Sequence, residues 1–160
     1  MDLGLTGKAA LVAASSRGLG KAVALELARE GCRVALCART EGPLLEAQKD
    51  IERATGARVL ARTADVTDGE SVRRLVESVL TELGAIDILV CNAGGPPSGP
   101  PESFGLPDYR AALELSLLST VGLSLAVVPS MKRRGWGRIV NVTSVSAKQP
   151  IDALILSNTS

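Results

Sequence analysis

The chain has 160 residues, enough for one domain with a real core, and its 46% hydrophobic and 22% charged content is that of an ordered globular protein. A net charge of +1, carried by scattered basic residues, argues against a nucleic-acid surface, and the absence of histidine excludes a histidine-based triad or a histidine metal ligand. Only 2% of residues are aromatic, so the core falls to Leu, Val, Ile and Ala, which suits a buried parallel sheet covered by helices.

Apolar runs alternate with helical patterns along the whole chain. Residues 8–13 (KAALVA) read as a first strand, and 18–30 as a helix with Leu19, Ala22, Val23 and Leu27 on one face and Gly31 as its stop. Residues 33–37 are a second strand, 41–55 a helix ending at Gly56, and 58–62 a third strand; Asp68 then caps a helix over 69–83 that ends at Gly84. A fourth strand covers 86–91. The Gly, Pro and Ser of 94–107 form a loop, 108–134 a long helix, 138–142 a fifth strand and 144–152 a loop, and a last helix begins near Ala153. Residues 115–131 carry no charge, yet they fall short of the roughly 20 needed to cross a bilayer and include Ser116, Ser119, Ser124 and Pro129. They read as a buried helix, so no membrane association is expected. Strict alternation of strands and helices implies βαβ units in a single α/β domain over 1–160, a doubly wound parallel sheet between two helix layers. The N-terminus lacks an apolar signal core. Cys32, Cys37 and Cys91 match no zinc spacing, and their odd number argues against a disulfide framework, so a cytoplasmic location and no metal are expected.

Three segments carry the chemistry, each just after a strand. Ala14-Ser15-Ser16-Arg17-Gly18-Leu19-Gly20 joins the first strand to its helix, where backbone N–H groups and the positive helix end face an anion. Gly18 allows close approach of a phosphate, and Gly20 permits tight helix–strand packing. After the second strand, where a carboxylate would hold ribose hydroxyls, the chain reads Cys37-Ala38-Arg39-Thr40. Arg39, with Arg17 closing from the first turn, can clamp a 2′-phosphate, which favours NADP over NAD; the alternative is two solvated surface arginines. Asp65-Val66-Thr67 follows the third strand and Asn92-Ala93-Gly94 the fourth, the latter preceded by Asp87-Ile88-Leu89-Val90.

At these spacings the three segments resemble the short-chain dehydrogenase/reductase family over the whole chain, in its 3-oxoacyl-thioester reductase-like form. The family's T-G-x-x-x-G-[IL]-G is matched at Gly18, Leu19 and Gly20, but Ala13 and Ala14 replace its Thr and Gly. If position 14 requires positive φ, alanine brings strain there. Of the N-N-A-G signature only Cys91 departs. The resemblance implies a Rossmann-type fold that holds the cofactor at Ala14 to Gly20 and Arg39, with Asp65 bonding the adenine amino group and Val66 packing on its ring. Asn92, Ala93 and Gly94 then floor the ribose and nicotinamide. It further implies hydride transfer between NADPH and a small carbonyl or alcohol substrate, with a 3-oxoacyl thioester as one expectation.

The family's catalytic serine, tyrosine, lysine and asparagine are matched unevenly. Ser144 stands at the serine position, Ser157 at that of the tyrosine and Ser116 at that of the asparagine; the lysine position falls past Ser160, and Tyr109 lies too far upstream to substitute. A serine hydroxyl is a poorer proton donor than tyrosine. Two explanations stand open: a C-terminally incomplete member with a variant active site, or a divergent protein that binds the dinucleotide without turnover. The first is favoured, because residues 154–160 look like the start of a helix. On that reading the chain is about the first two-thirds of the family's domain, and the fifth strand is expected to be an exposed edge. The long helix is apolar on several faces, and in the family its outer side meets a neighbouring subunit, so a homo-oligomer (dimer or tetramer) is expected. The alternative is burial under further residues of the same chain.

Overall fold

A computed structural model describes residues 3–160. Five strands form one parallel sheet: β1 (Ala9–Val12), β2 (Arg33–Ala38), β3 (Val59–Thr63), β4 (Ile88–Cys91) and β5 (Arg138–Asn141), in the spatial order β3-β2-β1-β4-β5. The order reverses direction at β1, which pairs with β2 on one side (Leu11 opposite Ala35) and β4 on the other (Leu11 opposite Leu89). That reversal opens a crevice at the strands' carboxyl ends, the usual ligand position in such sheets. The sheet is the Rossmann arrangement expected from the strand–helix alternation.

Alternate side chains of β1 to β4 feed two cores. Ala10, Val12, Val34, Leu36, Ile88 and Val90 pack against α1 (Gly18–Arg29) and α2 (Glu41–Thr55), through Ala24, Ala28, Leu44, Ala47 and Ile51. Leu11, Ala35, Leu89 and Cys91 face α3 (Gly69–Leu83) and the long helix, through Val72, Leu75, Val79, Leu123, Val127 and Met131. Asp68 caps α3 as expected, its carboxylate accepting from the Glu70 and Ser71 amides at 3.1 and 3.2 Å. At the opposite end of the sheet the buried Asp87 accepts from the Ala9 amide at 2.8 Å, and its second oxygen forms an ion pair with Arg134.

The long helix departs from expectation in three ways. It starts at Leu106, two residues early, because Pro107 fits the first turn and Asp108 reaches back to the Gly105 amide at 2.8 Å. It is also not continuous: α4 (Leu106–Leu113) passes through one π-helical turn, Glu114–Leu118, into α5 (Ser119–Arg134). Third, it is only half covered. Leu123, Val127 and Met131 belong to the core, whereas Leu117, Leu118, Val121 and Leu125 are exposed, the last by 69%. By length and composition alone Leu106–Arg134 is apolar enough to cross a membrane, but its inner side is part of the sheet's core. The loop before it contains a short 3₁₀ turn at Pro101–Ser103. β5 lies at the sheet edge with all four residues exposed, and α6 (Ile155–Thr159) ends the described chain.

Candidate functional site: a nucleotide cleft and a hydroxyl-lined neighbour

Leaving β1, the chain turns into α1 through Ala13 and Ala14. Ala14 sits at φ +48°, a left-handed conformation that costs a residue with a Cβ about 1–2 kcal/mol. Its neighbours hold it there. The Ser15 hydroxyl, fully buried, donates to the Val12 carbonyl at 2.8 Å and accepts from the Cys37 amide at 3.1 Å, pinning the turn to β2. The Asn92 side chain donates to the Ala13 and Ala14 carbonyls, both at 3.3 Å, pinning it to the end of β4. On the third side a Cβ at Gly20 would collide with the Ala14 carbonyl and stand 2.9 Å from Asn92 Nδ2. Ser15 and Gly20 thus stand behind the cleft wall: Gly20 packs helix against strand, the role its place in the turn suggested, and Ser15 holds the turn together. Ser15's hydroxyl is already satisfied by backbone, and Gly20 is hidden under Ala14.

Arg17 is extended (φ −163°), and α1 then begins at Gly18 with no side-chain cap and no acidic residue in its first turn. Its leading amides remain available to an anion. In front of them lies a cleft of about 390 Å³ that brings together Ala14, Ser16, Arg17, Gly18, Leu19 and Arg39 with Asp65, Val66, Asn92, Ala93 and Gly94. Thr40, Pro43, Ala64 and Leu115 also line it, none of them singled out from the sequence. Thr40 and Pro43 flank the start of α2 and could have been found from Arg39; Leu115 arrives from the π turn and carried no signal. Arg17 and Arg39 are exposed, and neither is held in a salt bridge among the described residues. The Asp65 carboxylate accepts from the Thr67 amide and hydroxyl at 3.0 and 2.8 Å. These bonds, with Arg39's charge adding to them, hold it below the usual carboxylate range.

A second cleft, about 420 Å³, shares Leu19, Asn92, Ala93 and Gly94 with the first and extends between the π turn and the loop after β5. It gathers Ser116, Ser144 and Ser157, which lie far apart in sequence. Ser144 Oγ accepts from the Ser146 amide at 3.1 Å, the Ser146 and Ser157 hydroxyls pair at 3.3 Å, and Ser160 Oγ meets Ser116 Oγ at 3.2 Å. Tyr109 lines neither cleft. The Gly99 amide donates to the Ala153 carbonyl at 2.6 Å, tying the loop before α4 to the segment that leads into α6. The cysteines at these walls are poor nucleophiles: burial pushes the Cys37 thiol up to about 12 and raises that of Cys91.

The family model described as short chain dehydrogenase matches residues 8–159. The chain belongs to the short-chain dehydrogenase family. Among the relatives of this short-chain dehydrogenase, ketoacyl reductase HetN of Nostoc sp. is 33% identical over 147 residues, covering 92% of this chain and 51% of HetN. The solved structure of L-sorbose reductase from Gluconobacter frateurii, complexed with NADPH and L-sorbose, superposes with a TM-score of 0.94 at 36% identity, over 99% of this chain and 60% of that one. NAD⁺-bound xylitol dehydrogenase gives 0.92 at 29% identity, over 97% and 60%. The chain therefore spans between half and three-fifths of the length of these three relatives. Solved relatives of this short-chain dehydrogenase hold NADPH in one case and NAD⁺ in another.

Proposed function

We propose that this short-chain dehydrogenase binds NADP in the first cleft and serves hydride transfer to or from a carbonyl or alcohol carbon in the second, within the cytoplasm. The carrying observation is a pair of exposed arginines free of salt bridges among the described residues: Arg39, just past the end of β2 where a ribose-binding carboxylate would stand, and Arg17, in the turn after β1. The cleft fits a dinucleotide: uncapped helix amides face it, and bare backbone lines it at Gly18 and Gly94. Arg17 and Arg39 would hold a 2′-phosphate, the Asp65 oxygen left free by Thr67 the adenine amino group, and Asn92 to Gly94 the ribose and nicotinamide. Bound there, NADP supplies the hydride donor or acceptor. In the second cleft Ser144, whose hydroxyl proton has no described acceptor, orients the substrate oxygen, while Ser157 and Ser116 occupy the positions of the family's proton-transfer residues.

A second reading, dinucleotide binding without turnover, is favoured by one observation: the Ser157 hydroxyl is paired with Ser146, and no lysine lines the second cleft. The two readings separate by experiment. Calorimetric titration should show NADPH binding at least tenfold tighter than NADH, with that preference lost in Arg39→Glu. Equal affinities would remove the NADP assignment. NADPH oxidation across a panel of ketones and oxoacyl thioesters decides between turnover and binding alone. The exposed apolar side of α4 and α5, including Leu113 and Leu125, supports a homo-oligomer, dimer or tetramer, built on that face.

A further inference from the structure

We propose that Ser15 is a positioning residue for the cofactor cleft: its buried hydroxyl sets Arg17 against Arg39 and, through them, the preference for a ribose 2′-phosphate. This rests on the reading above that the first cleft takes NADP. Ser15 does not line that cleft; it acts through the two arginines that do. Register puts Val12 opposite Leu36 in the last pair between β1 and β2. Beyond that pair the chains part, β1 turning toward α1 and β2 running on toward Arg39. The Ser15 side chain sits in the fork. Its hydroxyl donates to the Val12 carbonyl at 2.8 Å and accepts from the Cys37 amide at 3.1 Å, while the Ser15 amide donates to the Cys37 carbonyl at 3.0 Å. Ser15 and Cys37 are both 0% exposed, so solvent does not compete for these bonds.

This clamp fixes the spacing of the arginines. Arg17 lies two residues past Ser15, and Arg39 two residues past Cys37. On its far side the end of β2 is held as well, the Ala38 carbonyl accepting from the Ala64 amide at 3.0 Å. The root of Arg39 is therefore tied to β3, and what remains to be set is where Arg17 stands. Asn92 does not set it: its side chain grips the Ala13 and Ala14 carbonyls, before Ser15, from the β4 side. Among the described residues no other side chain from Ala13 to Gly18 forms a hydrogen bond. The need for such a tie comes from Ala14, whose Cβ disfavours the φ of +48° that it adopts. Without the hydroxyl the turn can relieve that strain by rotating at residue 14, which swings Arg17 away from Arg39. A shared grip on one phosphate is sensitive to such a shift, because both guanidinium forks must reach its oxygens.

Calorimetry with adenosine 2′,5′-bisphosphate and with 5′-AMP isolates the 2′-phosphate, the one group by which these probes differ. The parent chain should prefer the bisphosphate at least tenfold. Ser15→Ala should cut that preference about tenfold, and the same substitution made in Ala14→Gly, where there is no strain to relieve, should cut it about threefold. A serine that merely stabilises the fold would lower both affinities alike and leave their ratio unmoved, and that result overturns the inference. Equal cuts in the two backgrounds overturn the part assigned to Ala14. Urea denaturation shows which variants are folded. Should Ser15→Ala not fold, the ratio in the glycine background decides: a cut supports the inference and an unmoved ratio overturns it. A parent chain that binds both probes equally, or neither, removes the NADP reading and this inference together, whereas a parent that prefers the bisphosphate and keeps its preference in Ser15→Ala sinks the inference alone.

Discussion

At the scale of single residues, the turn after β1 departs most from its family's pattern and gives the sharpest predictions. Ala14 adopts positive φ, so Ala14→Gly should stabilise the chain by about 1 kcal/mol in urea denaturation and tighten NADP binding. Gly20→Ala should do the reverse: its Cβ meets backbone rather than a flexible side-chain tip, and about 1–3 kcal/mol of stability should be lost with nucleotide binding. Asp65 adds a pH signature. Its folded-state pKa is depressed, first by the Thr67 hydrogen bonds, so its contribution is complete above the ordinary carboxylate value of about 3.9 and is lost as the pH falls through the lower folded value. Asp65→Ala should therefore cost stability evenly between pH 5 and 7 in chemical denaturation, and the gap from the parent chain should close below about pH 4. The motif residues were legible because phosphate and ribose need bare backbone at fixed distances along the chain. A serine in such a turn reads the same whether it faces a ligand or satisfies the turn's own backbone, as the Ser15 hydroxyl does.

At the scale of elements, all five strands and the three helices between β1 and β4 could be read from apolar periodicity with Gly and Asp punctuation, with boundaries off by a residue or two. Three features could not. The π turn at Glu114–Leu118 needs only one extra residue of backbone slack, and nothing in Glu-Leu-Ser-Leu-Leu marks it, although Ser119 and Thr120 return hydroxyl bonds to the Leu115 and Ser116 carbonyls at 2.5 and 3.1 Å. The meeting of Ser116, Ser144 and Ser157 was foreseen only through family resemblance, because contacts between distant segments have no periodicity. The ion pair between Asp87 and Arg134 joins β4 to the end of α5, and it too was invisible in sequence. Arg134→Met leaves a buried carboxylate without its partner. The expected loss is about 3 kcal/mol by urea denaturation, toward the low end for such pairs because the Arg134 side chain is 35% exposed. Pairing it with Asp87→Leu should recover part of that loss.

At the scale of the whole molecule, the two helix layers are unequal. One is sealed by α1 and α2, while on the other the helix beside α3 leaves Leu117, Leu118, Val121 and Leu125 open to solvent. If that face is where copies meet, Val121→Lys with Leu125→Lys should lower the sedimentation coefficient to that of a single chain and leave NADP affinity intact; an unchanged coefficient would place the contact elsewhere. The sheet is uneven along the strands as well. At its amino end the Ala9 amide is held by a buried carboxylate that α5 also grips, whereas at the carboxyl end residues 94–98 reach no other strand. The protein is in effect a stiff heel with a compliant toe. Amide hydrogen exchange should be slowest at Ala9 to Val12 and fast at residues 94–98, and an arriving nucleotide should slow the second of these groups and not the first.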